Sequence, residues 1–112
     1  MKLIKKDQGE AKQAGRHFGQ CGISRISPET GSHRLKVSLS HFLPKGGTEM
    51  YASSTERVYF GVSGSLRVVD KEGGIYDIEP GDVLYLPPGE EREITNVTNE
   101  PATILVIIVN ID

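Results

Sequence analysis

Residues 81–96, GDVLYLPPGEEREITN, decide the prediction of the fold. Residues 82–86 are short, apolar and bounded by turn residues, which is typical of a strand. The Pro87-Pro88 pair ends this strand, because proline has no N–H to donate to a sheet. Gly89 tolerates the backbone angles of a sharp reversal. Residues 91–97 then alternate in side-chain character, so the segment predicts a strand, a tight turn and a second strand.

Composition limits the class of protein. A chain of 112 residues is long enough for one domain with one core. The formal net charge of −2 offers no basic surface for nucleic acid or an anionic membrane. No apolar run has the length of a membrane span, and the first residues lack the apolar core of a signal peptide. A single cysteine, Cys21, excludes an internal disulfide. We therefore expect a cytoplasmic protein with neither nucleic acid nor membrane as a partner.

The distribution of glycine, proline and β-forming residues predicts an all-β fold. Thirteen glycines and six prolines separate short runs that are rich in valine, isoleucine, threonine and tyrosine. Residues 1–20 show no clear period and predict a loosely ordered arm, in which His17 is expected to be solvated or hydrogen-bonded locally. The predicted strands are residues 21–27, 33–43, 48–53, 58–62, 66–70, 75–78, 82–86, 91–97 and 103–111, with a turn at residues 44–47.

Residues 81–96 resemble the second sequence motif of the cupin superfamily, G-x5-P-x-G-x2-H-x3-N. Gly81, Pro87, Gly89 and Asn96 occupy the matching positions, but Arg92 stands where the family has a metal-binding histidine. The resemblance covers about residues 35–109, most of the chain. It implies a double-stranded β-helix, the jelly-roll barrel of cupins. The barrel is expected to span residues 21–112, with residues 1–20 as an N-terminal arm.

The first cupin motif, G-x5-H-x-H-x3,4-E-x6-G, is recognisable here only by its frame. Counting back from Gly64 places Arg57 at the glutamate position, and Ser53 and Tyr51 at the histidine positions. An alternative register uses Glu56 as the family glutamate. We prefer the first register, since a slip of one residue would send Glu56 to the opposite face of its strand. All four metal-ligand positions of the family are then substituted, by Tyr51, Ser53, Arg57 and Arg92.

These substitutions predict that no metal and no other cofactor binds. Two arginines close to one point would repel a cation by several kcal/mol on a Coulomb estimate at intermediate dielectric. A rearranged metal site using His41 with Glu49 would need a third ligand, and the sequence offers no obvious one.

Alternation along the strands predicts which side chains face the barrel interior. Leu35, Val37, Leu39 and His41 share one face of residues 33–43, and the three aliphatic side chains indicate that this face points inward. Residue statistics favour a hydrogen-bonded histidine at the edge of the core, whereas the resemblance implies that inward faces line a pocket. The predicted ligand-binding residues are His41, Glu49, Tyr51, Ser53, Arg57, Tyr59 and Arg92.

Buried arginines require partners, and this requirement leaves several functions open. Glu49 and another acid can neutralise them, which would leave a filled barrel without a ligand. Alternatively, the guanidinium groups bind a small anion: a carboxylate, a phosphate or a sugar-like molecule. The predicted function is such a binding protein. The alternatives are a metal-independent isomerase, epimerase or lyase, with His41 as the base and Tyr51 or Tyr59 as the acid, and a metal-dependent enzyme with rearranged ligands.

Residues 103–111, TILVIIVNI, are apolar on both faces of the predicted strand. Such a strand is covered on both sides. One face is expected to fill the barrel and the other to pack on a neighbouring surface, which predicts a homodimer.

Overall fold

The computed structural model describes residues 1–109, which form nine strands and one short 3-10 helix, Pro28–Thr30. No helix in this part of the chain is long and apolar enough to cross a membrane. The strands are β1 Glu10–Lys12, β2 His17–Ile26, β3 Leu35–Tyr51, β4 Glu56–Ser63, β5 Leu66–Asp70, β6 Ile75–Ile78, β7 Val83–Leu86, β8 Arg92–Thr95 and β9 Ala102–Val109.

The strands are hydrogen-bonded in the order β6-β5-β8-β3-β9-β4-β7, with β2 added beside β3 and β1 beside β2. All the pairings among them are antiparallel. The first half of β3 pairs with β9, and its last five residues pair with β8. Because β3 belongs to both halves of the structure, the sheet curls into a barrel. The predicted all-β, double-stranded β-helix is confirmed.

The predicted strands agree with the structure in position more closely than in length. Two of them, residues 66–70 and 75–78, match β5 and β6 at both ends. β2 begins at His17, so the segment predicted as a loosely ordered arm contains β1 and the first residues of β2. Residues 110 and 111 of the last predicted strand lie outside the described residues.

The turn predicted at residues 44–47 is instead a corner within β3. Lys45 takes a φ of 68°, and its N–H donates to the carbonyl of Asn96 at 2.9 Å. The Asn96 N–H in turn donates to the carbonyl of Gly46 at 2.8 Å. A Cβ on Gly47 would collide with the carbonyl oxygen of Ile94. The proline and glycines therefore bend the strand from one half of the barrel into the other, and the chain does not reverse there.

The core lies between the two halves of the barrel. One face of β9 contributes three of its buried side chains, as expected for a strand that fills the barrel on one side. The opposite face of β9 is half-buried within the single chain, and the homodimer stays a prediction. The buried apolar residues are Phe42, Tyr59, Leu66, Val68, Ile78, Leu86, Ile94, Ala102, Ile104 and Val106.

The prediction of which face of β3 points inward is wrong. Ser40 and Phe42 are buried, at 5% and 1% exposure, whereas His41 between them is exposed. Val37 and Leu39 lie on the outer face, where they line a surface groove together with Ile4 of the N-terminal segment. The aliphatic stripe thus marks a face that the N-terminal segment partly covers, and it does not mark the barrel interior.

Asn96, the last residue of the second motif, ties three parts of the barrel together and is fully buried. Its Nδ2 donates to the carbonyls of Phe42 at 3.2 Å and Glu100 at 2.7 Å. Its Oδ1 accepts from the backbone N–H of Thr98 at 3.0 Å and from the hydroxyl of Thr98 at 2.7 Å. One amide side chain therefore joins β3, the end of β8 and the loop that leads to β9.

Candidate functional site

A cavity of about 320 Å³ lies inside the barrel. Ile94, Ile104 and Val106, all buried core residues, give it an apolar wall. The turn between β1 and β2 closes another side, where Ala14 and Gly15 line the cavity. This volume is within the usual range for small-molecule sites, at its lower end. The cavity is therefore large enough for a ligand of about one ring.

Arg57 supplies a positive charge at the cavity surface. It lies on the inner face of β4, half-buried, and it lines the cavity as the preferred register predicts. Its Nη2 donates to the Ser53 hydroxyl at 2.9 Å, and its Nε donates to the Thr55 hydroxyl at 3.4 Å. Glu56 lies outside this site and accepts a hydrogen bond from the hydroxyl of Tyr85 at 3.0 Å. Neutral hydroxyls thus orient the Arg57 guanidinium without neutralising it.

Arg92 is 2% exposed and lies behind the cavity wall. Its Nη1 donates to the backbone carbonyl of Tyr51 at 3.1 Å, and its Nη2 donates to the hydroxyl of Tyr59 at 3.1 Å. The guanidinium carbon is 4.4 Å from the centroid of the Tyr51 ring, a cation–π contact. Tyr51 and Tyr59 line the cavity, whereas Arg92 lies behind them, and the predicted role of Arg92 in ligand binding stays a prediction. Arg92 holds both tyrosines from behind and adds a buried positive charge.

Neither arginine of the site has an acidic partner within residues 1–109. The ion pairs in this part of the chain are Arg67 with Asp77, and Lys71 with Glu91. The predicted neutralising acid, Glu49, is exposed. A register shift in the pairing of β3 with β8, between Thr48 and Tyr51, breaks the alternation on which the inward placement of Glu49 was based.

The structure places His41 on the outside of the barrel. Its Nδ1 lies 2.8 Å from the Thr103 hydroxyl on the neighbouring β9. Cys21 of β2 and Thr103 of β9 lie directly beside it in the sheet. The prediction that His41 points inward is therefore wrong, because the inner face of β3 is that of Ser40 and Phe42.

His17, predicted to be solvated or hydrogen-bonded locally, is the histidine that lines the cavity. Its ring lies 6.2 Å from the ring of Phe42 in a stacked arrangement, and 6.3 Å from the ring of Tyr51. Its Nδ1 is 2.7 Å from the Gly15 carbonyl oxygen, which can only accept, so Nδ1 carries a proton. The neutral ring then has an unprotonated Nε2, for which residues 1–109 provide no hydrogen-bond donor. No local sequence pattern marks this position, because His17 reaches the cavity through its pairing with Thr48 on β3.

The surroundings of His17 favour its neutral form. Burial lowers the pKa of His17 below the usual 6.5, and the positive charges of Arg57 and Arg92 lower it further. The hydrogen bond to the Gly15 carbonyl acts in the opposite direction without cancelling these effects. At neutral pH the imidazole is therefore uncharged, with a free lone pair on Nε2.

This lowered pKa has a consequence for stability. Because the unfolded chain binds a proton at His17 more readily than the folded chain, protonation favours unfolding. The contribution of neutral His17 to the free energy of unfolding is fully present above pH 6.5. It is lost as the pH falls from 6.5 through the lower pKa of His17 in the folded state. We expect the free energy of unfolding, measured with urea from pH 7.5 to 5, to fall more steeply in the wild type than in His17→Gln. Equal slopes in wild type and His17→Gln would contradict the prediction.

The donor set around the cavity does not fit a divalent metal ion. Cupin metals need imidazoles and a carboxylate converging on one point. Residues 1–109 contain no group of three histidine, cysteine, aspartate or glutamate side chains placed to hold a metal. At the four family positions stand two hydroxyl-bearing residues and two arginines, one of them buried behind the wall. His41 and Glu49, proposed as rearranged ligands, are both exposed.

The match to a family model now gives the class of protein. The model for the cupin domain matches residues 38–108, more than half of the chain. The chain therefore belongs to the cupin family, with the usual metal-ligand positions substituted. A comparison with curated proteins found no significant match.

Solved structures similar to this chain agree on the fold. The polyketide cyclase RemF from Streptomyces resistomycificus has a TM-score of 0.88 at 19% identity, covering 97% of this chain and 79% of the cyclase. A sugar phosphate isomerase of the cupin superfamily from Silicibacter pomeroyi has a TM-score of 0.80 at 22% identity, covering 98% and 76%. A predicted oxalate decarboxylase from Thermotoga maritima has a TM-score of 0.82 at 16% identity, covering 98% and 100%. At these identities the likeness concerns the fold, and these three relatives differ in activity.

Proposed function

We propose that this cupin binds a small organic anion in its barrel cavity without a metal ion, with Arg57 as the anchor for the negative charge. The observation that carries the proposal is the charge balance of the site. Arg57 at the cavity surface and Arg92 behind it have no acidic partner within residues 1–109, and His17 is neutral at physiological pH. An anion that enters the cavity would meet two positive charges in surroundings of low dielectric.

The lining of the cavity narrows the class of anion. Arg57 has a planar, forked guanidinium that matches a carboxylate or a phosphate. The wall formed by Ile94, Ile104 and Val106, with the ring of Phe42, suits an apolar body. A volume of about 320 Å³ leaves room for about one ring with its substituents. A monocarboxylate with a small aromatic or aliphatic body combines these features.

Replacing Arg57 with methionine tests the proposal. Methionine keeps much of the length of the side chain and removes the charge. A charge-assisted hydrogen bond contributes about 2 kcal/mol, so the dissociation constant for phenylacetate should rise about 30-fold. Isothermal titration calorimetry measures this change.

Two comparisons make the result specific. Arg34→Met carries the same substitution at an exposed residue that does not line the cavity, and it should bind phenylacetate like the wild type. Phenylethanol, which has the same body without the charge, should bind the wild type at least about 30-fold more weakly than phenylacetate, for the same reason. Equal affinity of wild type and Arg57→Met for phenylacetate would show that Arg57 is not the anchor.

A further inference from the structure

We propose that His17 is a proton-transfer group, so that the cavity interconverts the keto and enolate forms of small 2-oxo carboxylic acids. The inference rests on the proposed function, since it requires that Arg57 holds the carboxylate. His17 lies in the N-terminal segment, which precedes the region matched by the family model. It replaces His41, which the structure places outside the barrel.

The geometry of the His17 imidazole suits a general base. A general base needs an unprotonated nitrogen that faces the reacting atom. The Gly15 carbonyl fixes the proton on Nδ1, at 2.7 Å, so the lone pair is on Nε2 at the other side of the ring. The ring lies against Phe42 and Tyr51, and these contacts hold its orientation. His17 thus presents its free nitrogen from a fixed position in the cavity wall.

The same cavity holds a hydrogen-bond donor, the Tyr59 hydroxyl, that can stabilise a developing negative charge. Tyr59 lines the same cavity, and its hydroxyl accepts a hydrogen bond from Nη2 of the buried Arg92. Because that oxygen already accepts, its own O–H is available to donate, and the adjacent guanidinium polarises it. A polarised hydroxyl of this kind stabilises the negative oxygen of an enolate. Tyr59 would touch the substrate, and Arg92 acts through it as a positioning residue.

The proton transfer needs no cofactor. His17 Nε2 takes a proton from the carbon next to the keto group. The electron pair of that C–H bond becomes the carbon–carbon double bond, and the π pair of the C=O bond moves to the oxygen, which Tyr59 stabilises. Return of the proton from Nε2 to carbon reverses the electron movement. Atoms and electrons balance, so neither an oxidant nor a reductant takes part.

The protonation state of His17 fits this role. Burial and the charges of Arg57 and Arg92 lower the pKa of His17, so it is unprotonated and ready to accept at neutral pH. The ionisable groups that face the imidazole from the surrounding strands are Arg57 of β4, Arg92 of β8, Tyr51 of β3 and Tyr59 of β4, with Arg16 beside it in the chain.

The experiment follows solvent deuterium entering the methylene group of phenylpyruvate by proton NMR in deuterium oxide, with 2-oxobutanoate as a second probe. We expect the wild type to accelerate exchange above the buffer rate, and His17→Gln to lose about 100-fold or more of that acceleration. Binding of phenylpyruvate to His17→Gln, measured by calorimetry, should stay within about threefold of the wild type, since Arg57 is intact. His41→Gln, which alters a histidine outside the cavity, should exchange at the wild-type rate.

Each other outcome has a definite meaning. Binding by the wild type without exchange would overturn the inference and leave the proposed function standing. Unchanged exchange in a folded His17→Gln would also overturn it. Absence of binding by both probes would contradict the proposed function for this class of anion, and the inference would fall with it.

If circular dichroism shows that His17→Gln is unfolded, the pH profile of the wild type decides. The exchange rate should rise and then level off, with its midpoint below 6.5, the usual pKa of histidine. A rate that rises continuously with pH would indicate hydroxide catalysis and overturn the inference.

Discussion

Asn96→Ala is expected to lower the free energy of unfolding by about 4 kcal/mol. The side chain is fully buried, and its removal takes a donor from the carbonyls of Phe42 and Glu100 and the acceptor from the N–H of Thr98. Of these groups, only the Glu100 carbonyl keeps a second partner among the side chains of residues 1–109, the Thr98 hydroxyl. Each buried polar group left unpaired costs about 1–3 kcal/mol. Small domains have a total stability of about 5–15 kcal/mol, so the variant should be only marginally folded. Urea unfolding followed by circular dichroism measures the change.

The chain supplies a matched control three residues further on. Asn99→Ala makes the same substitution at an exposed position of the same loop and should change stability by no more than about 0.5 kcal/mol. A loss of less than about 1 kcal/mol in Asn96→Ala would show that water or a local shift satisfies the freed groups. The account of this asparagine as the tie between β3 and the loop before β9 would then be wrong.

Gly47→Ala should destabilise the barrel by about 3 kcal/mol or more, because β3 and β8 must move apart to make room for the added methyl group. A Cβ at this position collides with the carbonyl of Ile94, and a backbone atom cannot rotate away as a side chain can. The clash falls where β3 pairs with β8, with Gly47 opposite Thr95. Urea unfolding measures the loss, and amide hydrogen exchange should show the earliest opening at this pairing.

Gly15→Ala is the control for this second variant. A Cβ on Gly15 meets nothing within 4 Å, and the residue does not require a positive φ. The substitution should be neutral or stabilise the protein by about 0.5 kcal/mol, since alanine restricts the unfolded chain. Equal stabilities of the two variants would show that the backbone at the corner of β3 can adjust to a methyl group at residue 47 without a loss of stability.

The strands were predictable from sequence wherever their signals were local. The flanking turn residues predict both ends of β5 and β6 correctly. The Pro-Pro-Gly turn marks the boundary between β7 and β8. The corner at residues 44–47 was not predictable, since proline and glycine mark a reversal and a bend alike. Only the pairing of Lys45 and Gly46 with Asn96 distinguishes the two.

The site was predictable only in part, and for a physical reason. Tyr51 and Arg57 follow from the motif frame, and Tyr59 follows from alternation along the strand that carries Arg57. All three line the cavity; their role in binding stays a prediction. The errors at His41 and Glu49 arose from alternation arguments that ignored a covered outer face and a register shift in β3. Both the covered face and the register shift depend on what packs against the strand, and the local sequence pattern carries no information about that packing.

The turn between β1 and β2 places Gly15 and His17 in the cavity wall, although both lie outside the residues shared with the family model. The cavity wall thus combines two separate stretches of the chain, the hairpin with His17 and the barrel strands with Arg57 and Tyr59. None of the buried apolar core residues of the described chain lies in the hairpin. In a redesign of the cavity, the hairpin is therefore a segment whose replacement alters the lining while the strands that carry the core stay the same.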